Sequence, residues 1–125
     1  MLQFTDLHLD LDYVPGSAKV CDDILCCRAY AGFPEEKENQ ASPWGEYECD
    51  LPFSTFAAMG DFIREEIKPD LIAWTGDVPP HDMWNYNLDY VKKYQGVMTD
   101  FFKANFSDFS LYPLEGNHDF GDANC

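Results

Sequence analysis

The sequence predicts an α/β fold built on a parallel sheet. Three short apolar segments, at residues 2–5, 71–75 and 111–114, have the length and composition of strands, and the first is expected to be buried. Two segments between them, at residues 53–68 and 88–105, carry apolar side chains at helical spacing. The order β–loop–α–β–α–β favours parallel strands joined by right-handed crossovers.

The two helices are predicted from their apolar faces and from their ends. Asp50 can cap the first helix, with Pro52 in the first turn, where a missing N–H costs nothing, and Pro69 ends it. Its apolar positions are Phe53, Phe56, either Met59 or Gly60, Ile63 and Ile67. The second helix repeats this spacing through Val91, Tyr94, Met98, Phe101 and Phe102.

Each predicted strand runs into polar residues of the kinds that bind metal ions. Asp6 and His8 follow the first strand, Asp77 follows the second, and Asn117 and His118 follow the third. The carboxyl ends of parallel strands meet at one edge of a sheet, so these side chains are expected to converge. Carboxylate and imidazole suit zinc, manganese and iron, and one rigid aspartate can bridge two metals. Each motif alone is also typical of an ordinary turn, but together they predict a metal-dependent hydrolase site.

One detail of this interpretation depends on local conformation. Asp6 and His8 point the same way if the extended conformation of the first strand continues through them. His81 follows in the loop after Asp77, so all three histidines of the chain lie at these strand ends or just past them.

The composition indicates one domain, or part of one, with a folded core. Hydrophobic residues make up 46% and aromatic residues 16% of the 125 residues. The formal net charge of −15 argues against nucleic acid as a partner. We interpret the charge as a solvated acidic surface, with adaptation to an acidic compartment as the second interpretation. No apolar run approaches the ~20 residues of a transmembrane helix.

Residues 9–51 predict a long loop insertion held by disulfide bonds. The segment is rich in acidic residues, proline and glycine and contains Cys21, Cys26, Cys27 and Cys49. Paired Cys-x-x-Cys motifs are absent, so a zinc thiolate site is the minor alternative to two disulfides. A bond between the neighbours Cys26 and Cys27 would be strained, and Cys125 is left over.

The cysteines favour a secreted or lysosomal protein, because disulfides persist in oxidising compartments. Asn105 begins an Asn-Phe-Ser glycosylation motif, which agrees with a secretory route. Met1 already stands at the first strand, with no signal peptide before it. The expectation is therefore a trimmed start or a fragment of a longer polypeptide.

The strand-end motifs resemble those of the calcineurin-like metallophosphoesterases. Asp6-Leu7-His8, Gly76-Asp77 and Gly116-Asn117-His118-Asp119 look like the first three motifs of that superfamily. Within it, the chain resembles the acid sphingomyelinase family along nearly its whole length. The supporting residues are Asp10, Tyr13, Gly16, Cys26-Cys27-Arg28, Trp44-Gly45, Tyr47, Cys49-Asp50, Pro52, Trp74-Thr75 and Pro80-His81-Asp82 with Trp84.

The resemblance implies a fold, a ligand set and a reaction. The fold is a β-sandwich flanked by helices, of which residues 1–125 supply the first β–α–β–α–β half as a partial catalytic domain. Two zinc ions are implied, with Asp6 and His8 on the first, Asp77 bridging and Asn117 on the second. The implied catalytic residues are His118 and His81. His118 would lie beside the phosphate, to stabilise the transition state or to protonate the leaving alkoxide. His81 is either the other candidate acid or a loop histidine hydrogen-bonded to backbone. The implied disulfides are Cys21–Cys26 and Cys27–Cys49.

The implied substrate is sphingomyelin, hydrolysed to ceramide and phosphocholine by a hydroxide that two metals activate. Asp119 stands where sphingomyelinases usually carry Glu and nucleotide-cleaving relatives carry Asp, so a nucleotide or other phosphodiester is the alternative substrate. The family's remaining histidine ligands would follow the third strand, and the 125-residue chain has no further histidine. A weakly active or inactive chain is therefore expected. A non-catalytic secreted fragment or binding module is the third hypothesis.

The family's second sheet would cover one face of the first, and that face is predicted to be exposed. Peripheral membrane contact is expected only of a full-length protein.

Overall fold

A computed structural model describes residues 1–120 of the chain. Its elements are β1 (Leu2–Phe4), β2 (Leu9–Asp10), β3 (Leu51–Pro52), α1 (Phe53–Phe62), β4 (Leu71–Trp74), α2 (Leu88–Asn105) and β5 (Ser110–Pro113). A π-helical turn, Ile63–Ile67, continues α1. The short 3-10 turns are Ala29–Ala31, Lys37–Asn39, Met83–Asn85 and Asn117–Asp119.

The main sheet is parallel, with strand order β1–β4–β5. Phe4 pairs with Trp74, and Leu2 pairs with Ile72. The side chains of Phe4, Ile72 and Trp74 are buried on the face that packs against the helices. The core consists of Phe4, Leu9, Phe56, Ile63, Ile72, Trp74, Val78, Tyr94, Met98, Phe102 and Phe106. The predicted α/β fold with parallel strands is thus confirmed.

The opposite face of the sheet is open within residues 1–120. Gln3, Ala73 and Tyr112 form one row across the three strands. Gln3 is exposed, Ala73 is half-buried and Tyr112 is 60% exposed. The prediction of an exposed sheet face is therefore confirmed.

The ends of the first helix differ from the prediction. Pro52 lies before the helix rather than in its first turn, and no side chain caps the amino terminus. Asp50 does not act as a cap, because its carboxylate binds His81 instead. The regular α-helix ends at Phe62, and Lys68 closes the following π-turn in a left-handed conformation, with φ 47°. The strands β1, β4 and β5 also end one residue earlier than predicted.

The segment of residues 9–51 leaves the sheet and returns to the same place. Its two ends pair as the parallel strands β2 and β3, with Leu9 opposite Leu51. This pairing was not predicted, because two-residue strands carry too little pattern to recognise. The predicted disulfides Cys21–Cys26 and Cys27–Cys49 are both present, so the alternative of a zinc thiolate site is wrong for these four cysteines. Cys125 lies outside the described residues.

Two sequence predictions concern the surface. Asn105 ends α2, where its side-chain amide donates to the Phe101 carbonyl (2.9 Å) and accepts from Arg64 (2.8 Å). Its glycosylation stays a prediction. Neither helix of residues 1–120 combines the length and apolarity that a membrane span requires.

Candidate metal centre

The three strand ends converge at one edge of the sheet, as predicted. Asp6, His8 and Asp77 each offer a ligand atom, and these atoms lie within 4.8 Å of one another. Asp77 is buried, His8 is half-buried and Asp6 is exposed. Two carboxylates and one imidazole match the ligand types and the minimum of three protein ligands of a zinc site. The side chains present therefore fit a divalent metal.

The backbone at these three residues is left-handed, which the sequence did not show. The φ angles of Asp6, His8 and Asp77 are 51°, 41° and 57°. The extended conformation of β1 therefore does not continue through Asp6 and His8, contrary to the expectation. Each such conformation costs on the order of 1–3 kcal/mol, and such residues cluster at functional sites. Only five non-glycine residues within 1–120 have a positive φ, and three of them are these candidate ligands.

Backbone hydrogen bonds between the first two corners hold this conformation. The N–H of Asp6 donates to Gly76 O (3.1 Å), and that of His8 donates to Asp77 O (3.0 Å). Leu9 N–H donates to Val78 O at 2.7 Å. The two corners therefore stay paired beyond the end of the sheet, and this pairing compensates the unfavourable φ angles.

Asp119 joins the third corner to the second. Its carboxylate, 6% exposed, accepts from the N–H groups of Asp77 (2.7 Å), Val78 (3.1 Å) and Gly116 (2.8 Å). The Asp77 carboxylate in turn accepts from His118 N–H at 2.7 Å. Sequence reasoning used Asp119 only to weigh substrates and missed this anchoring role. Its position at the end of the Gly-Asn-His-Asp turn was the available signal, since a short carboxylate side chain binds nearby N–H groups.

Two glycines allow this close approach. A Cβ on Gly76 would collide with the backbone N of Gly116, and a Cβ on Gly116 would collide with the carboxylate of Asp77. Gly76 also has φ +87°, where side chains are disfavoured. Both corners therefore require glycine for packing.

All three histidines of the chain gather at this edge. The rings of His8 and His81 stack, with centroids 3.8 Å apart and an interplanar angle of 29°. The His118 ring lies 5.1 Å from that of His8 and 5.4 Å from that of His81. The structure thus brings together every predicted histidine of the site.

The Nδ1 atom of each ring meets a protein group, so Nε2 is the nitrogen left for a metal or substrate. His8 Nδ1 lies 3.0 Å from the Pro79 carbonyl, which fixes the ring as Nδ1–H. Partial burial lowers the pKa of His8 below its ordinary value, which favours the neutral ring that a metal ligand needs. His118 Nδ1 lies 3.3 Å from the hydroxyl of Tyr86, which donates to the Pro80 carbonyl at 2.7 Å. That hydroxyl oxygen can therefore accept from His118 Nδ1–H.

The contacts of His81 differ from one of the two sequence hypotheses, a loop histidine hydrogen-bonded to backbone. The other, an acid of the site, stays a prediction. His81 Nδ1 lies 2.7 Å from a carboxylate oxygen of Asp50, and its backbone N–H donates to the other oxygen at 2.7 Å. The ring is therefore bound by a side chain rather than by backbone. Asn117, the remaining predicted ligand, begins the 3-10 turn beside His118 with an exposed side chain.

A buried ion-pair network holds the loops that carry His8 and His81. Arg28 donates to Asp10 (2.8 Å) and to Asp82 (2.9 Å), and each of the three residues is at most 4% exposed. Burial disfavours the charged Arg28, but its hydrogen bonds to both carboxylates outweigh burial and raise its pKa. Asp82 also accepts from the Tyr90 hydroxyl at 2.7 Å. The sequence motifs contained Arg28 and Asp82 but did not show that they form an ion pair.

Replacing Asp119 by asparagine should destabilise the chain by about 1–3 kcal/mol, because one of its three N–H partners loses an acceptor and is left buried. Asp108→Asn, at an exposed residue, is the matched control and should change the free energy of unfolding by less than about 0.5 kcal/mol. Urea denaturation in the presence of a chelator measures both. Equal stability of the two variants would contradict the anchoring role of Asp119.

Comparison with known proteins agrees with this geometry. The sequence model of the family described as "Calcineurin-like phosphoesterase" matches residues 1–125. Sphingomyelin phosphodiesterase of Homo sapiens is 35% identical over 120 residues, which are 95% of this chain and 19% of that protein. Sphingomyelin phosphodiesterase B of Dictyostelium discoideum is 36% identical over 122 residues, which are 95% of this chain and 19% of that protein.

A third relative is the acid sphingomyelinase-like phosphodiesterase 3b of Mus musculus, 35% identical over 93% of this chain and 24% of that protein. The chain thus spans between about a fifth and a quarter of the length of these relatives. The predicted resemblance is confirmed. The chain belongs to the calcineurin-like phosphoesterase family, and within that family its sequence is similar to the acid sphingomyelinases.

Proposed function

We propose that this chain supplies part of the active site of a metal-dependent phosphodiesterase that hydrolyses sphingomyelin to ceramide and phosphocholine. The observation that carries the proposal is the convergence of Asp6, His8 and Asp77 within 4.8 Å, next to two further histidines. The names of the sphingomyelin phosphodiesterases that the chain resembles support the substrate.

We assign the residues of this edge to two zinc ions, as the family resemblance implies. Asp6 and His8 would hold the first, Asp77 would bridge and Asn117 would contribute to the second. Bound divalent metals polarise a phosphoryl oxygen and activate a water for in-line attack. Asp77 suits the bridging position because hydrogen bonds hold it in place. Its own N–H donates to Asp119, and its carboxylate accepts from the N–H of His118.

His118 and His81 would act on the substrate through Nε2. A protonated ring could donate its Nε2 proton to the ceramide alkoxide as the bond from phosphorus to that oxygen breaks. His81 faces a carboxylate and His118 faces a hydroxyl, so the Asp50 charge can balance a positive charge on His81. We therefore assign the acid to His81 and contact with the phosphate to His118.

The disulfides support a secreted or lysosomal location, since such bonds persist in oxidising compartments. Phosphodiesters with a nucleotide group are the alternative substrates, because the nucleotide-cleaving relatives also carry Asp at the position of Asp119. A non-catalytic binding module is the alternative of a different class.

The test measures metal content and turnover of the purified chain. We expect zinc to bind and to raise the free energy of unfolding by about 2.7 kcal/mol at a hundredfold excess over Kd. Release of phosphocholine from sphingomyelin is compared with hydrolysis of a nucleotide phosphodiester, each with and without chelator. If the nucleotide phosphodiester were hydrolysed faster than sphingomyelin, it would replace sphingomyelin as the proposed substrate. Unchanged stability with zinc, together with no turnover of either substrate, would favour the non-catalytic module.

A further inference from the structure

We propose that Asp50 is a positioning residue that determines which nitrogen of His81 faces the phosphodiester. The proposal rests on the proposed function, because it assigns a partner to a histidine of that site. The sequence predicts that Asp50 caps a helix, but in the structure its carboxylate contacts His81 instead.

The carboxylate of Asp50 binds two groups of one residue. Oδ1 lies 2.7 Å from His81 Nδ1, and Oδ2 accepts from the His81 backbone N–H at 2.7 Å. The Asp50 side chain is 9% exposed, whereas that of His81 is 45% exposed. A contact at both the backbone and the ring fixes the orientation of the imidazole relative to its own main chain.

Asp50 is itself held on both sides. Cys49, the residue before it, is bonded to the fully buried Cys27. Leu51, the residue after it, donates its N–H to the carbonyl of His8 at 3.1 Å and pairs with Leu9. The carboxylate is therefore presented by the closed base of the 9–51 segment. Preorganisation of this kind is what an orienting group requires.

The contact selects one tautomer of the ring. A carboxylate accepts hydrogen bonds, so the neutral His81 places its proton on Nδ1 and leaves a lone pair on Nε2. Nε2 lies on the other side of the ring from Asp50, and the His8 ring stacks on the same imidazole at 3.8 Å. His81 and Asp50 also line an open depression of about 400 Å³ with Ile24, Tyr47 and Met83. The exposed part of the His81 side chain is thus accessible from the surface.

The experiment reads the tautomer directly on the 125-residue chain without metal. Chains labelled with ¹⁵N at histidine are recorded by long-range ¹H–¹⁵N correlation at about pH 8.5, two units above the ordinary histidine pKa. His81→Gln assigns the His81 signals. We expect the Nδ1–H tautomer of His81 to exceed the other by at least about tenfold, as a charge-assisted hydrogen bond of about 1.5–3 kcal/mol implies.

Asp50→Ala should reduce this excess to a mixture of both tautomers, and Asp50→Asn should give an intermediate ratio. Glu48→Gln is the matched control, since it removes a neighbouring exposed carboxylate, and it should leave the ratio unchanged. Wild-type His81 with its proton on Nε2 would overturn the proposal. So would a folded Asp50→Ala chain that keeps the wild-type ratio. If Asp50→Ala does not fold, the wild-type and Asp50→Asn ratios decide in the same way.

A parallel turnover assay separates this proposal from the function on which it rests. The expected tautomer with no hydrolysis of either phosphodiester would reject the proposed function and leave the Asp50 contact standing. Turnover with the wrong tautomer would reject the positioning role alone. Where turnover is measurable, Asp50→Asn should lower kcat by about 10–100-fold with little change in KM, by analogy with outer-shell partners.

Discussion

Replacing Gly76 by alanine should destabilise the chain by about 2–5 kcal/mol, from the positive φ angle and overpacking together. The new Cβ would meet the backbone N of Gly116 and, at 2.7 Å, the carbonyl carbon of Glu115. Both contacts are with backbone, so no rotation of a side chain can relieve them. The second and third corners would therefore have to separate.

Gly96→Ala is the matched control for this substitution. Gly96 lies in α2, and a Cβ built there has no neighbouring atom within 4 Å. This variant should be more stable than the wild type by about 0.5–1 kcal/mol, because alanine is the better helix former. Denaturation of both variants in the presence of a chelator gives the free energies of unfolding. A Gly76→Ala chain as stable as the wild type would contradict the described packing of the two corners.

Replacing Asp77 by asparagine should lower zinc affinity by at least about 100-fold, since losing even the partner of a metal ligand costs about 10–100-fold. Asparagine tolerates the left-handed backbone and can still accept from His118 N–H. It is neutral, however, and cannot serve as a bridging carboxylate. Any turnover of sphingomyelin should fall by a similar or larger factor.

The measurement is zinc titration by calorimetry, with Asp89→Asn as control. Asp89 is an exposed carboxylate in the first turn of α2, and its substitution should leave zinc binding unchanged. In the presence of a chelator, the free energy of unfolding of the Asp77→Asn chain should stay within about 1 kcal/mol of the wild-type value. Zinc affinity equal to that of the wild type would remove Asp77 from the site.

Much of the local structure of the site could be read from single segments. The apolar runs before Asp6, Asp77 and Asn117 identified the strands, because each strand directs apolar side chains at the core. The predicted parallel orientation of the strands then required the three ends to meet at one edge, where the structure places them. The family resemblance named the two disulfides correctly.

Other features depend on contacts between distant residues. Asp50 looked like a helix cap because it precedes an apolar helical pattern, but His81 is closer to its carboxylate than any helix N–H. The left-handed backbone of Asp6 and His8 exists because the Gly76-Asp77-Val78 corner supplies hydrogen-bond acceptors. No local sequence pattern indicates a hydrogen-bond acceptor that lies about 70 residues away in the chain.

The sequence by itself determined the α/β class, the three strand ends and the residue types that a metal site needs, because hydrophobic period and residue chemistry are local properties. Only the tertiary structure decided which groups hold those residues in place. Asp119 binds three backbone N–H groups of two corners, Arg28 joins Asp10 to Asp82, and Asp50 orients His81. Those partners are set by how the chain folds back on itself, since a hydrogen bond depends on distance in space and not on separation in sequence.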